Sequence, residues 1–277
     1  MSNLYDDLKA LAQIPHAYET WTDYRERLSG FFMSQTEPGS TALIVGAGAC
    51  SDLALQTLCG HFSEIRLLDR DADALREGVR RQRAQILPDR LICADLLGVS
   101  EETYRAIADG LLSEIQSAAF RPDPARFEHC LKETFAQALR TRTPDPITAQ
   151  AALSDHVICC GVHSQLLTTF LQMASVYRRY VPFRPETIES FLREQLPSLV
   201  YALNDTLFRW AKRSVIFGLE ECRIGIAGGV DGAWQAFSDL ERRGVSVAAE
   251  QRLIWPFDPA QGKAYSMRIL QIEKEDQ

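Results

Sequence analysis

Apolar and polar residues follow one another along this chain in a pattern that predicts strands and helices in turn. Apolar runs at 42–45, 64–69 and 90–94 have the length of buried strands, and helical leucine spacing separates them, first over 51–60. After a gap, 155–160 restores the strand pattern. Strands that alternate with helices are typical of a parallel sheet covered on both faces.

Two regions fall outside this alternation. Residues 1–40 show helical spacing and end at a polar break. Residues 97–152 contain no convincing strand but two helical patterns, so we predict a helical cap inserted between the third and fourth strands. We expect an N-terminal helical segment at 1–40 and one domain at 41–277 that carries the insertion. Each of the two predicted helices of the insertion has one apolar face, formed by Tyr104, Ile107, Leu111 and Ile115 in the first and by Phe127, Leu131, Phe135 and Leu139 in the second.

The end of the chain predicts a hairpin. Segments 246–255 and 264–272 are extended and joined by a turn, so they should pair antiparallel. The fifth strand has two candidates, 214–217 and 222–226. We therefore predict an α/β fold with a doubly wound, mostly parallel sheet of seven strands and an antiparallel C-terminal hairpin.

Composition narrows the class of protein. The 277 residues are 46% hydrophobic and 24% charged, which is ordinary for a globular protein, and the net charge of −7 argues against nucleic-acid binding. No apolar run reaches the roughly 18–20 residues that span a bilayer, and no secretory signal is recognisable at the N-terminus. Seven scattered cysteines favour a reducing cytoplasm over disulfides or structural zinc.

The candidate chemistry lies where the first three strands end. Gly46 and Gly48 form a glycine pair after the first strand, Asp69 ends the second, and Asp95 follows the third. Glycine lets the main chain turn tightly and approach a ligand, while carboxylates accept hydrogen bonds from ribose hydroxyls or an adenine amine. The order predicts a nucleoside pocket at one edge of the sheet.

These segments resemble the core of the class I S-adenosylmethionine-dependent methyltransferases. The resemblance rests on the glycine turn at 43–50, the acids at 68–72 and 93–96, the fourth-strand segment 155–163 and the closing hairpin. It implies a Rossmann-like fold and S-adenosylmethionine as cofactor, with no metal. The cofactor-binding residues that it implies are Gly46, Ala47, Gly48, Asp69, Arg70, Asp95, Leu96, Cys160 and Gly161.

Two positions depart from the family pattern. Ile44 stands where the family usually has an acid, two residues before the first glycine, and Cys50 replaces the third glycine.

Other side chains have two interpretations each. His163, just past the fourth strand, is the candidate catalytic base, and its alternative is a histidine that caps the following helix or is hydrogen-bonded in the wall. The aromatic set Tyr18, Trp21 and Tyr24 is either a lid or, as we favour, a helix packing face. Trp255 is either an acceptor contact or an edge-strand packing residue.

We therefore predict a methyltransferase that acts on an oxygen or nitrogen of a small molecule. No Asn-Pro-Pro-Tyr, Asp-Pro-Pro-Tyr or Pro-Cys sequence follows the fourth strand, which removes the branches that methylate adenine, glutamine or cytosine C5. Alternatives are a cofactor-binding protein without catalysis and an NAD(P)-dependent oxidoreductase. The latter fingerprint would need glycine or alanine where the chain has Ser51. The oligomeric state stays open.

Overall fold

The structure is a computed structural model that describes residues 4–11, 14–117, 123–143, 147 and 153–274. Parts of the predicted insertion (118–122, 144–146 and 148–152) lie outside the described residues. The strands are β1 Thr41–Val45, β2 Glu64–Asp69, β3 Leu91–Cys93, β4 Ser154–Cys160, β5 Ala211–Arg223, β6 Val247–Asp258 and β7 Lys263–Glu273. The helices are α1 Leu4–Leu11, α2 Ala17–Thr20, α3 Thr22–Ser34, α4 Leu55–His61, α5 Ala72–Gln82, α6 Glu101–Gln116, α7 Pro124–Arg140, α8 Thr168–Tyr177, α9 Pro185–Trp210 and α10 Asp231–Arg243.

The strands form one sheet in the order β3-β2-β1-β4-β5-β7-β6. The five strands from β3 to β5 are parallel, whereas β7 pairs antiparallel with both β5 and β6. This confirms the predicted Rossmann-like sheet and its C-terminal hairpin. The strand order reverses between β1 and β4, and ligands of such sheets bind outside the carboxyl ends of the strands at that point.

Side chains of β1 alternate between two cores, as the period of a strand requires. Leu43 and Val45 are buried against α1, α6, α7, α8, α9 and α10, and Ala42 and Ile44 against α2, α3, α4 and α5. The two predicted apolar faces of α6 and α7 are buried in the first of these cores. Ser100 caps α6 as its sequence position indicates, because its hydroxyl oxygen accepts the amide of Thr103 at 3.2 Å.

Two elements differ from the sequence expectation. The single strand β5 contains the candidate 214–217 and the start of the candidate 222–226, so the two candidates belong to one element. Helix α4 begins at Leu55 and not at residue 51, because residues 46–54 form a loop. The amides of Ala54 and Leu55 at this helix start donate to Ser29 and Gln82 side chains, at 2.9 Å each. These bonds replace the cap that Ala54 cannot supply.

Candidate functional site

One cavity of about 690 Å³ opens at the carboxyl ends of the strands. Its volume is in the range of small-molecule and cofactor sites. The structure brings together all nine residues that the sequence predicted to bind the cofactor, since each lines this cavity: Gly46, Ala47, Gly48, Asp69, Arg70, Asp95, Leu96, Cys160 and Gly161.

The glycine turn is held against β2. Gly46 and Ala47 donate their amides to the carbonyl of Leu68 at 2.8 and 3.1 Å. Gly46 has a φ of 73°, and a Cβ built there would lie 2.3 Å from Cγ2 of Val162. No other residue type fits this position without displacing the wall on the β4 side, so the main chain itself forms the cavity surface.

Asp69 joins the turn to the end of β2. Its Oδ2 accepts the Gly48 amide and its Oδ1 accepts the Asp71 amide, each at 2.9 Å. Burial raises the pKa of this carboxyl above its usual value, and the two backbone bonds oppose that rise. The two backbone bonds fix the side chain in place. Each carboxylate oxygen retains a second acceptor site, so the side chain can still accept hydrogen bonds from two hydroxyl groups.

Asp95 is fixed in a similar way after β3. Its Oδ1 accepts the amides of Leu97 and Val99 at 2.9 and 3.3 Å, and its Oδ2 lies 3.4 Å from the Tyr104 hydroxyl. Burial raises its pKa, while the Arg70 guanidinium lowers it. The remaining acceptor capacity lies on Oδ2, which is the oxygen available to an amine donor.

Arg70 lines the cavity directly after β2. Its guanidinium donates to the hydroxyl of Thr169 on α8 and lies 5.9 Å from the centroid of the Tyr104 ring. The planar cation therefore connects the β2 end of the cavity to α8, beside Asp95.

The β4 side of the cavity ends in Cys160 and Gly161. Gly161 has a φ of 66°, and a Cβ there would lie 3.1 Å from Trp255. Burial raises the pKa of the Cys160 thiol well above its usual value, so the thiol stays protonated and is a poor nucleophile. The main chain, and not the cysteine, is the polar surface available here.

His163 does not lie in the cavity. Its ring is fully buried, its Nε2 lies 2.9 Å from Oδ1 of Asn204, and Asn204 donates to Asp239 at 2.9 Å. Burial lowers its pKa to about 4. The interpretation of His163 as a catalytic base is therefore corrected to the alternative of a histidine bonded in the wall, because its ring has no access to a substrate.

Aromatic residues of the N-terminal segment and of β6 line another side of the cavity. Trp21 donates its indole N–H to the carbonyl of Phe257 at 3.2 Å, and its ring centroid is 5.1 Å from that of Trp255. Tyr24 stacks on Trp255 at 5.7 Å and is buried, as a packing residue should be. Trp21, Trp255 and Tyr18 line the cavity, so these three combine packing with the role of a wall. Trp21 and Tyr24 are thus packed in the core, as the favoured interpretation of the aromatic set predicts.

Asp52 and Arg81 are among the charged residues of the cavity that sequence reasoning missed. Arg81 donates through Nη2 to the Ala49 carbonyl at 2.6 Å and to the Ser51 hydroxyl at 3.2 Å, and its guanidinium lies 4.4 Å from the Tyr18 ring centroid. Burial raises the pKa of Asp52 to about 6, with Arg25 opposing that rise. The sequence signal for Asp52 was an acid four residues after Gly48. The helix predicted from Ser51 placed this acid on a helix and not in a loop of the cavity.

In the described part of the chain, no three His, Cys, Asp or Glu side chains are arranged to hold a metal ion. Among the same residues, none of the helices combines the length and apolar character needed to cross a membrane.

Comparisons with known proteins find similarity only to solved structures. No protein-family profile matches the chain, and no curated protein matches it. A magnesium protoporphyrin IX methyltransferase from Synechocystis, with bound SAH, is 12% identical over 91% of this chain and 82% of that one, with a TM-score of 0.44. The N-methyltransferase NodS from Bradyrhizobium japonicum is 11% identical over 95% and 99%, with a TM-score of 0.44. TrmN from Thermus thermophilus is 12% identical over 90% and 47%, with a TM-score of 0.40. These similarities are too low to assign a function.

Proposed function

We propose that this protein is an S-adenosylmethionine-dependent methyltransferase that acts on an oxygen or nitrogen of a small molecule. The observation that carries the proposal is the joint placement of a glycine turn and two strand-end carboxylates around one cavity at the switch point of the sheet. The domain division proposed with it is a helical segment at 1–40 and a methyltransferase domain at 41–277.

The donor set fits a nucleoside. Asp69 is held by the amides of Gly48 and Asp71 with acceptor sites to spare, which suits two vicinal ribose hydroxyls. Asp95 keeps capacity on Oδ2 for an adenine amine, and the Leu96 side of the cavity offers apolar contact. We assign to Arg70, whose planar guanidinium lines the cavity, the role of stacking on the base.

The other half of the cavity fits the rest of the cofactor. Gly46, Ala47 and Gly48 present bare main chain, and Cys160 with Gly161 does the same across the cavity. When bound, the cofactor supplies an activated methyl group on a sulfonium. The protein then contributes orientation and exclusion of water, because the sulfur becomes neutral as the methyl leaves and little charge needs stabilising.

The aromatic wall supports a small acceptor. Trp21, Trp255 and Phe257 give the acceptor side an apolar, stacked surface, and the Trp21–Phe257 hydrogen bond ties the N-terminal segment to β6. Such a surface favours a flat or apolar molecule with one nucleophilic atom over a charged polymer.

The sheet disfavours the oxidoreductase alternative. Strand β7 runs antiparallel between β5 and β6, whereas a dinucleotide-binding sheet is built from two parallel halves. Titration with NADH should therefore give no change in its fluorescence.

Calorimetric titration with S-adenosylmethionine and S-adenosylhomocysteine (SAH) tests the proposal. We expect one site per chain, and about tenfold or greater weakening in Asp69→Asn, since a hydrogen bond to a charged group contributes ~1.5–3 kcal/mol. Asp73→Asn is the matched control, because Asp73 is exposed on α5 and pairs with Arg76. Absence of binding by the wild-type protein would overturn the proposal. Binding without transfer of a labelled methyl group to a panel of small alcohols, phenols and amines would favour the non-catalytic alternative.

A further inference from the structure

The loop between β1 and α4 brings a carboxylate into the cavity. Residues 46–54 are non-helical, and Asp52 within them lines the cavity together with Gly46 and Gly48. In the described part of the chain, the Asp52 carboxylate makes no ion pair and accepts no hydrogen bond from another residue's side chain or amide. Asp52 is therefore a cavity-lining carboxylate that, among the described residues, is bonded only to its own amide.

No side chain pairs directly with Asp52 in the described part of the chain. The charge of Arg25 acts on Asp52, but its Nη1 donates to the carbonyls of Tyr18 and Ser51 at 2.5 and 3.0 Å and its Nη2 to the Thr22 hydroxyl at 3.1 Å, so the two residues form no ion pair. The charge of Asp52 also raises the pKa of Tyr24 and of Cys160, and burial keeps both groups protonated. The charge of Asp52 is therefore available to a ligand.

Charges of both signs flank this loop. Arg81 holds the loop through the Ala49 carbonyl and the Ser51 hydroxyl, and Asp52 is near enough to Cys160, at the end of β4, for its charge to raise the pKa of that thiol. A ligand that carries both a cation and an anion at one end matches such a pair better than a neutral or purely anionic ligand does.

We propose that Asp52 binds the α-ammonium group of the cofactor's amino-acid end and thereby selects ligands that carry this cation. The inference rests on the proposed function and adds a specificity-determining residue to it. Asp52 stands six residues after Gly46, so the carboxylate comes from the loop and not from the position before the first glycine, where the chain has Ile44.

The test compares three probes that share the nucleoside. SAH carries the ammonium, its deaminated analogue lacks only that group, and 5′-methylthioadenosine lacks the whole amino-acid end. Wild-type protein should bind SAH about 10- to 100-fold more tightly than the deaminated analogue, the range that a charge-assisted hydrogen bond supplies. Asp52→Asn should weaken SAH by a similar factor and leave 5′-methylthioadenosine unchanged. Asp73→Asn should leave all three affinities unchanged.

The outcomes separate this inference from the proposed function. If wild-type protein binds none of the three, the proposed function fails and this inference with it. If wild-type protein binds SAH but Asp52→Asn binds it equally well, or if both SAH and 5′-methylthioadenosine weaken together, only the assignment of Asp52 is overturned. Should Asp52→Asn fail to fold, the wild-type protein still decides: equal affinity for SAH and its deaminated analogue would contradict the inference.

Discussion

The amide of Gly48 donates to Oδ2 of Asp69 at 2.9 Å. This bond joins the turn after β1 to the end of β2, so the two features that define the candidate cavity form a single unit. The second oxygen of Asp69 accepts the Asp71 amide and so also orients the start of α5. A change at either residue should therefore disturb both the loop and the ligand.

Gly46→Ala should abolish SAH binding and destabilise the protein. The substituted residue would have a φ of 73° and a Cβ 2.3 Å from Val162, a backbone cost of ~1–2 kcal/mol before the clash is counted. Gly110→Ala is the control, because nothing lies within 4 Å of its added Cβ in the middle of α6. That variant should gain ~0.5–1 kcal/mol. Thermal unfolding and calorimetry measure both, and a Gly46→Ala protein of normal stability and affinity would contradict the described turn.

Cys50→Gly should be more stable than Cys50→Ala. Cys50 has a φ of 52° although it is not glycine, at the position where the family pattern has its third glycine. Both variants lose the same buried sulfur, but only glycine removes the left-handed backbone cost of ~1 kcal/mol. Chemical denaturation of the two variants measures the difference, and a more stable alanine variant would show that position 50 does not adopt this conformation.

SAH affinity should fall as the pH drops through about 6, the pKa to which burial raises Asp52. A carboxyl with a raised pKa is charged only above that pH, and the neutral form no longer attracts an ammonium group. Asp69 and Asp95 titrate in the same cavity with raised pKa values, while Tyr24 and Cys160 stay protonated. The pH profile of Asp52→Asn is therefore the reference. The prediction is wrong if wild-type protein and Asp52→Asn show the same dependence between pH 5 and 8.

Asp52→Asn should also raise the midpoint of thermal unfolding of the ligand-free protein at neutral pH. A raised folded-state pKa means that the stability associated with this group is fully present below the unfolded pKa and is lost as the pH rises through about 6. Removing the charge recovers that loss at pH 7 but not at pH 4. Scanning calorimetry at both pH values measures it, and an equal shift at both would point to an effect other than charge.

His163→Ala should cost stability and leave the SAH affinity of the folded protein unchanged. The substitution removes a fully buried ring and leaves Oδ1 of Asn204 without its 2.9 Å partner, a loss of about 2–4 kcal/mol. His129→Ala, at an exposed position of α7, is the control. A loss of affinity at unchanged stability would return His163 to the cavity.

The cavity residues that could be predicted from the sequence are those whose position along the chain and whose chemistry indicate the same role. Gly46, Gly48, Asp69 and Asp95 stand at strand ends, and the carboxyl ends of parallel strands meet at one edge, so spacing alone brings them together. The insertion helices were predictable because their apolar residues recur at helical spacing.

The predictions that were wrong, the helix start at residue 51 and the catalytic role of His163, failed for physical reasons. The leucines at 53, 55 and 58 suit a helix, but Ser29 and Gln82, which are distant in sequence, fix its start at Leu55 and leave Asp52 in a loop. The orientation of His163 depends on Asn204, 41 residues away. Long-range side-chain bonds of this kind leave no periodic trace in the sequence.

A crystal structure of the protein grown with SAH tests the central claim most directly. We predict difference density for one SAH in the cavity, with both ribose hydroxyls within hydrogen-bond distance of Asp69 and the adenine amine near Oδ2 of Asp95. An empty cavity at saturating SAH, or a nucleoside bound away from these two carboxylates, would contradict the account.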